Sequence, residues 1–474
     1  MRRRAIAGAL QFVALGNYLT PRTTTLLRQL GLVSATALVI SNMIGSGVLT
    51  TTGFLAGELG SAKWVLLAWA IGGVCALAGA FCYSELGVNF PSSGGEYVYL
   101  TQAFGPTWGF MTGWVSFFAG FSAPIAASAL AFSDYLGHFF PALKLENAQH
   151  IVGSGAWEVR LGPAQGVACW LVAAFTILNC LGVRRTARVQ NVLTSMKVLV
   201  VIVFIVAGFA FGNGSWDNFS HPAARTSTTP ILSQLFLSLL FIYFSYSGWN
   251  AATYVAEELK QPARTLPLSL ACGTILVAAL FIGLNVLYIY AVPLETMKGV
   301  VAVGALAATH LFGPAVAGIF SAAMLLSLLA TVNAMTTIGP RVYYAMAKNG
   351  AFFSAAAKVH PRWHTPVNAI VAQGLCTMLM TVSPFLNLLF YIGMLLNFSA
   401  VMSVASLFIF RRRQGWQKLS VVNFAYPLIP ALFVVIGIWM TILGLKLRPG
   451  VSGIAAATVA IGALVYRFRI RGRT

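Results

Sequence analysis

The residues best placed to do chemistry lie in the stretch Asn42-Met43-Ile44-Gly45-Ser46-Gly47-Val48. Their chemistry is that of bare peptide groups. The stretch falls inside an apolar run from Gly31 to Ala56, long enough to cross a bilayer, and sets two glycines and a serine where a spanning helix would be most regular. A helix broken there exposes N–H and C=O groups at membrane depth, so the break must line a cavity whose occupant bonds to them. The competing reading is that small residues let two helices pack closely. A second stretch decides between the two. In Phe241-Ile-Tyr-Phe-Ser-Tyr-Ser-Gly-Trp-Asn-Ala-Ala-Thr-Tyr-Val-Ala-Glu-Glu the apolar pattern fails again around Ser245, Ser247 and Gly248, with Asn250 close behind.

Broken helices offer two kinds of charge complement. The first half-helix ends in free carbonyls at Met43 and Ile44, and carbonyls of Phe244 and Ser247 at the second break join them. The half-helix that starts at Gly45-Ser46-Gly47 presents free N–H groups and the positive end of its dipole. Amides suit a carboxylate and carbonyls suit an ammonium group, and a ligand carrying both close together is an α-amino acid. Glycine serves because backbone must approach the ligand with no Cβ between. Phe244, Tyr246 and Trp249 could add apolar contacts, with ordinary helix packing as their alternative role.

Other chemistry is not encoded. The six cysteines lie in or at the ends of apolar runs with no CxxC pair or Cys/His cluster, and the six histidines fall in loops or near span ends. There is no Walker loop, HExxH or GxSxG, so neither an enzyme, a cofactor nor a metal site is expected.

The elements that hold these breaks follow from composition. Of 474 residues, 58% are hydrophobic and 8% are charged, which describes a polytopic membrane protein. The net charge of +20 does not point to nucleic acid, because the basic residues sit in short loops. Apolar runs give twelve spans, near 31–57, 63–88, 106–137, 164–182, 189–212, 231–258, 267–292, 313–338, 366–383, 385–409, 421–445 and 450–467. Most Lys and Arg fall on one side, among them Arg184, Arg185, Arg188, Arg264, Arg341 and Arg411 to Arg413. Lys63, Lys144, Arg160, Arg225, Lys298, Lys446 and Arg448 fall on the other. That bias places both termini in the cytoplasm of a multi-pass protein of the cell (inner) membrane. Met1-Arg2-Arg3-Arg4 and the apolar residues after it read as an interfacial or cytoplasmic tail rather than a cleaved signal. The longest outer connections, 138–163 and 213–230, are polar.

The first break opens one set of five spans and the second opens the next. Five is odd, so the sets are inverted, as in secondary transporters such as the leucine transporter. The expected fold is all-α, with 12 transmembrane helices, a five-plus-five inverted repeat and discontinuous helices 1 and 6. The chain divides into a tail at 1–30, repeats at 31–212 and 231–409, an accessory pair at 421–467, and a basic tail at 468–474.

Four motifs occur in order: Met43-Ile-Gly-Ser-Gly-Val, Tyr83-Ser-Glu-Leu-Gly-Val-Asn-Phe-Pro-Ser-Ser-Gly-Gly-Glu-Tyr-Val-Tyr-Leu, Ser247-Gly-Trp-Asn-Ala-Ala-Thr-Tyr-Val-Ala-Glu-Glu, and Gln261-Pro-Ala-Arg-Thr-Leu-Pro. With them the chain resembles the amino acid, polyamine and organocation permeases from about Gly31 to Arg413. The resemblance implies a ligand carboxylate on the amides near Ser46, Gly47 and Val48. It implies the amine on carbonyls of Met43, Phe244 and Ser247, Phe244 as a lid, and a further wall around Ala119, Gly120 and Ala123 of the third span. Lys197 resembles the fifth-span lysine of sodium-independent members, whose ammonium takes the place of a sodium ion and tethers the first span. Its alternative is a lysine that snorkels to lipid phosphates. Asn250 occupies a position where some acid-resistance exchangers carry a glutamate. Glu85, Glu257 and Glu258 would be gate or packing residues, and Asp134 interfacial.

The expected function is a secondary carrier for neutral L-amino acids, sodium-independent, working by exchange or proton symport. No acidic residue lies near the middle of the spans around the breaks to meet a cationic side chain. A cationic amino acid or polyamine carrier and a non-transporting amino-acid receptor are the alternatives. Amino acid and lipid are the expected partners, a homo-oligomer is compatible with the chain, and nucleic acid is not expected.

Overall fold

The computed structural model describes residues 28, 30–92, 94–181, 183–348 and 350–470, with the backbone alone at 183–195. The expected tails fall largely outside these residues, as do the side chains of Arg184, Arg185 and Arg188. In chain order the main helices are α1 (Leu32–Met43), α2 (Ser46–Leu59), α3 (Ala62–Asn89), α4 (Glu96–Phe104), α5 (Pro106–Leu136), α6 (Pro163–Cys180), α7 (Val183–Phe211) and α8 (Ile231–Tyr246). They continue with α9 (Pro262–Ala291), α10 (Val303–Lys348), α11 (Val367–Met380), α12 (Phe385–Phe410), α13 (Leu428–Leu447) and α14 (Pro449–Val465).

Among the described residues nine helices are long and apolar enough to span a membrane, or ten if α1 and α2, bent by 41°, form one span. Two shorter apolar helices, Met196–Phe211 within α7 and α11, lie where the fifth and ninth spans were expected. α10 runs beyond the expected 313–338 at both ends, turning at Gly313, whose φ is 77°, just before Pro314. The chain is mostly helical rather than all-α. In the 138–163 connection β1 (His150–Val152) pairs antiparallel with β2 (Val159–Leu161), His150 opposite Leu161. Short apolar segments around a turn held by Gly153 and Gly155, both at positive φ, account for that hairpin.

The bundle buries its small and aromatic residues and leaves apolar side chains such as Val74, Trp170, Ile319 and Leu379 on the outside, as a lipid-facing surface requires. α8 packs on α2, α3 and α12, while α9 packs on α1 and α3 and α10 on α5 and α7. α4 lies against α5 and α12. This arrangement brings the α1–α2 junction against the end of α8.

Candidate functional site

α1 stops at Met43 because the chain turns extended: Ile44 has ψ 102°, and Gly45 has φ −143° and ψ −158° before α2 begins at Ser46. No side chain caps α2, so the N–H groups of its first turn point into the break without an intrahelical partner. α8 stops at Tyr246. Ser247 turns extended, Gly248 adopts φ 101°, and after a turn the chain resumes as a 3-10 helix over Ala251–Glu258.

The two breaks touch. A Cβ on Gly248 would stand 2.8 Å from the carbonyl carbon of Asn42, and one on Gly47 would stand 2.4 Å from the Cα of Ser245. These are the positions where glycine is required, the first also by its left-handed backbone. Hydroxyls secure the crossing: Ser46 Oγ lies 3.0 Å from Ser128 Oγ, and Thr51 Oγ1 lies 2.9 Å from Ser245 Oγ. Gly45 has more room, with Thr331 at 3.7 Å from its would-be Cβ.

A cavity of about 500 Å³ opens beside the breaks. Asn42, Gly120, Ser247, Gly248, Trp249 and Asn250 form its inner wall, and it extends toward the Leu32 end of the bundle past Glu96, Glu257 and Arg341. Its size falls in the usual range for small-molecule sites, about 300–1,000 Å³. Gly120 lies on a π-helical stretch of α5, Ser116–Ser122, a local widening of the kind that often marks functional positions.

The structure sorts the sequence-predicted residues as follows. Met43, Ile44, Ser46, Gly47 and Val48 are buried at the first break, Gly45 is partly exposed there, and Ala119 and Ala123 are buried in α5. Phe244 is buried at the end of α8, its carbonyl accepting from the Ser247 N–H at 3.0 Å. Tyr246 is turned away from the cavity: its hydroxyl donates to the Trp69 carbonyl at 3.1 Å, and its ring packs on Trp69 and Phe281. Trp249 stacks edge-on against Tyr83, with ring centroids 4.7 Å apart. Lys197 is 2% exposed, and its Nζ donates to the Ser41 carbonyl at the end of α1.

The carboxylates also find places. Glu85 takes a bidentate pair from Arg411 at 2.7 and 2.6 Å, plus the Trp416 indole N–H at 2.8 Å, which locks α3 to the chain after α12. The Glu258 carbonyl accepts from the Leu30 N–H at 3.0 Å. Asp134 accepts from the backbone N–H groups of Leu145 and Ala302. Glu96 was overlooked. It folds back onto the second break, where Asn250 Nδ2 donates to it at 2.7 Å, because Gly95, at φ 48°, turns the chain into α4. The Gly94-Gly95-Glu96 run inside the second quoted motif was the available signal.

Two touching helix breaks that bound a cavity are the arrangement of a solute carrier. The model of the amino acid permease family matches residues 30–465. The chain belongs to that family. It is 30% identical over 456 residues to large neutral amino acids transporter small subunit 2 of Oryctolagus cuniculus, covering 93% of this chain and 80% of the relative. It is 28% identical over 421 residues to the serine/threonine exchanger SteT of Bacillus subtilis, covering 85% and 88%. Asc-type amino acid transporter 1 of Mus musculus is 28% identical over 450 residues, covering 93% and 80%. These relatives are transporters, not enzymes, and this permease is a multi-pass membrane protein.

Proposed function

We propose that this permease carries neutral L-amino acids across the cell membrane by alternating access, without sodium, through twelve spans in a five-plus-five inverted repeat with cytoplasmic termini. The observation that carries the reading is the contact between the two breaks. It sets the uncapped first turn of α2 and the carbonyl end of α1 against the second break, and Asn42, Ser247 and Gly248 carry the paired breaks to the cavity wall. The amides of Ser46, Gly47 and Val48 take the carboxylate, and carbonyls near Met43 and Ser247 take the ammonium. Relatives named for large neutral amino acids and for serine and threonine support a neutral side chain.

Lys197 supports sodium independence, because its ammonium already serves a carbonyl of the α1 end. Exchange is favoured over uptake by the likeness to a named exchanger. Of the cavity's two carboxylates, Glu96 already accepts from Tyr254, Asn250 and Tyr83, and the remaining wall charges, Glu257 and Arg341, balance, which favours a neutral side chain.

The test is flux into liposomes holding the purified protein. Radiolabelled L-leucine, L-serine and L-arginine are presented with and without internal amino acid, sodium and a pH gradient. Leucine or serine uptake that needs internal amino acid and ignores sodium is the expected result. Arginine preference would place the protein among cationic carriers, and binding without flux would make it a receptor.

A further inference from the structure

Glu96 is 8% exposed and forms no ion pair among the described residues. Its partners are neutral. Tyr254 OH donates to Oε2 at 2.5 Å, Asn250 Nδ2 donates to Oε1 at 2.7 Å, and Tyr83 OH donates to Oε1 at 3.1 Å. Two of these donors belong to the segment after the second break. Glu96 itself starts α4, which packs on α5 and α12. The carboxyl therefore bridges two bodies: the segment that follows the break, and a helix seated on different neighbours. The fit extends to the backbone, since a Cβ on Gly95 would stand 2.5 Å from Cε1 of the Tyr254 ring. Glu96, Asn250 and Tyr254 all line the cavity, so water reaches this bridge from the Leu32 end.

We propose, on the reading of the protein as a transporter, that Glu96 is a positioning residue. Its carboxyl latches the segment after the second break to α4, and it takes a proton from the cavity as the latch closes and returns it as the latch opens. Either protonation state fits the geometry. Ionised, Glu96 accepts all three bonds. Protonated, Oε2 donates to the Tyr254 oxygen while Oε1 still accepts from Tyr83 and Asn250.

The sign follows from burial. Glu96 lies between spans, and its removal from water raises the carboxyl above its ordinary range by more than the bonds from Tyr254, Tyr83 and Asn250 lower it. A latched carboxyl then holds its proton more tightly than one open to water, so acid in the cavity favours the latched state. The groups that face it from the packed elements are Tyr83 of α3, Tyr99 of α4, Tyr243 of α8 and Tyr254. Glu257 and Arg341 share the cavity.

Hydrogen exchange in the full-length protein tests the latch without requiring transport. In the wild type, exchange over 250–258, corrected for intrinsic pH dependence, should slow several-fold on acidification. Glu96→Gln keeps two accepted bonds and can donate the third, so the segment should exchange slowly at every pH. Glu96→Ala should exchange up to about tenfold faster, the upper range for losing one net hydrogen bond between neutral groups. Tyr254→Phe breaks the same contact from the other side and should exchange faster while keeping the pH dependence. A Glu96→Gln profile that follows the wild type, or slow exchange in both Glu96→Ala and Tyr254→Phe, overturns the proposal.

In liposomes, exchange of labelled L-leucine should depend on internal pH in the wild type and lose that dependence in Glu96→Gln. Absence of flux in the wild type refutes the transport reading, and the exchange measurement still decides the latch. Wild-type flux whose internal pH dependence survives Glu96→Gln refutes the proton step while transport stands.

Discussion

Alanine at Gly47 and at Gly45 should have opposite consequences, although the two positions are two residues apart. At Gly47 the new methyl would lie 2.4 Å from Ser245 Cα and 2.7 Å from Ser245 Oγ, so α2 and α8 must separate at their crossing. Backbone cannot rotate out of the way as a side chain can. Overpacking of this kind costs about 1–3 kcal/mol, more than the roughly 1 kcal/mol that alanine gains over glycine in a helix. At Gly45 the nearest atoms are Thr331 Cγ2 at 3.7 Å and Oγ1 at 3.8 Å, ordinary contacts, and the backbone is extended. Gly45→Ala should fold as well as the wild type, yet its methyl enters the partly exposed break proposed to bind the ligand. Thermal unfolding of purified protein and liposome exchange of L-leucine separate the two effects. Gly47→Ala should melt lower and carry less flux. Gly45→Ala should melt as the wild type does, with a raised KM. If Gly47→Ala melts and transports normally, the close crossing is not made. If Gly45→Ala keeps the wild-type KM, the ligand does not sit at the break.

Three further substitutions probe other parts of the same framework. Gly248→Ala should lower both melting temperature and flux, because φ 101° disfavours any side chain by about 1–2 kcal/mol and the Cβ would meet the Asn42 backbone at 2.8 Å. Lys197→Met should keep the protein folded but abolish most exchange by freeing the end of α1, measured as leucine flux against binding of labelled leucine. Retention of full flux would remove the lysine from the mechanism. Arg411→Met leaves Glu85 buried without its cation and should cost about 3–5 kcal/mol, read as poor expression and a lower melting temperature.

Both breaks were legible because glycine and serine stand out against a long apolar run, and a membrane gives such interruptions few alternatives. What was not legible was facing. Tyr246 belongs to the same polar-aromatic cluster as Ser247 and Trp249, yet α8 turns its hydroxyl toward Trp69, and no local pattern says which side of a helix apolar nearly all round meets the cavity. Glu96 escaped for a different reason. It reads as a loop charge between two spans, and only the Gly94-Gly95 turn, which reverses the chain, carries it to Asn250. The expectation that no acidic residue lies near the middle of the spans around the breaks says nothing of Glu96, which reaches the second break from between two spans. Asp134 reads as interfacial from its place near the outer end of the third span, and its partners lie elsewhere. The N–H groups it serves belong to Leu145 and to Ala302, far along the chain.

The bonding at the two ends of the bundle explains how one small ligand could control a large motion. Toward Leu59, α2 is tied down on several sides: Ala223 N–H donates to the Gly60 carbonyl at 2.8 Å, Thr226 N–H to Gly57 at 2.8 Å and Gly299 N–H to Gly53 at 2.9 Å. Arg448 adds an ion pair to Glu58 at 2.5 Å. Toward Leu32 the pattern differs. The start of α1 and the end of the segment after the second break are joined to each other, Leu30 N–H to the Glu258 carbonyl at 3.0 Å and Lys260 N–H to the Leu30 carbonyl at 2.9 Å, and the cavity lies beside them. Those two pieces must therefore move as a unit if this end is to close, while α2 stays with the loops that hold it. An amino acid whose carboxylate sits on the first amides of α2 and whose ammonium sits on the last carbonyls of α1 spans the joint between the held half and the mobile half. A few charge-assisted hydrogen bonds, each about 1.5–3 kcal/mol, are comparable to the differences that separate conformers of a two-state protein. Lys197 reaches the same end of α1 through Ser41, so ligand and lysine act on one helix terminus.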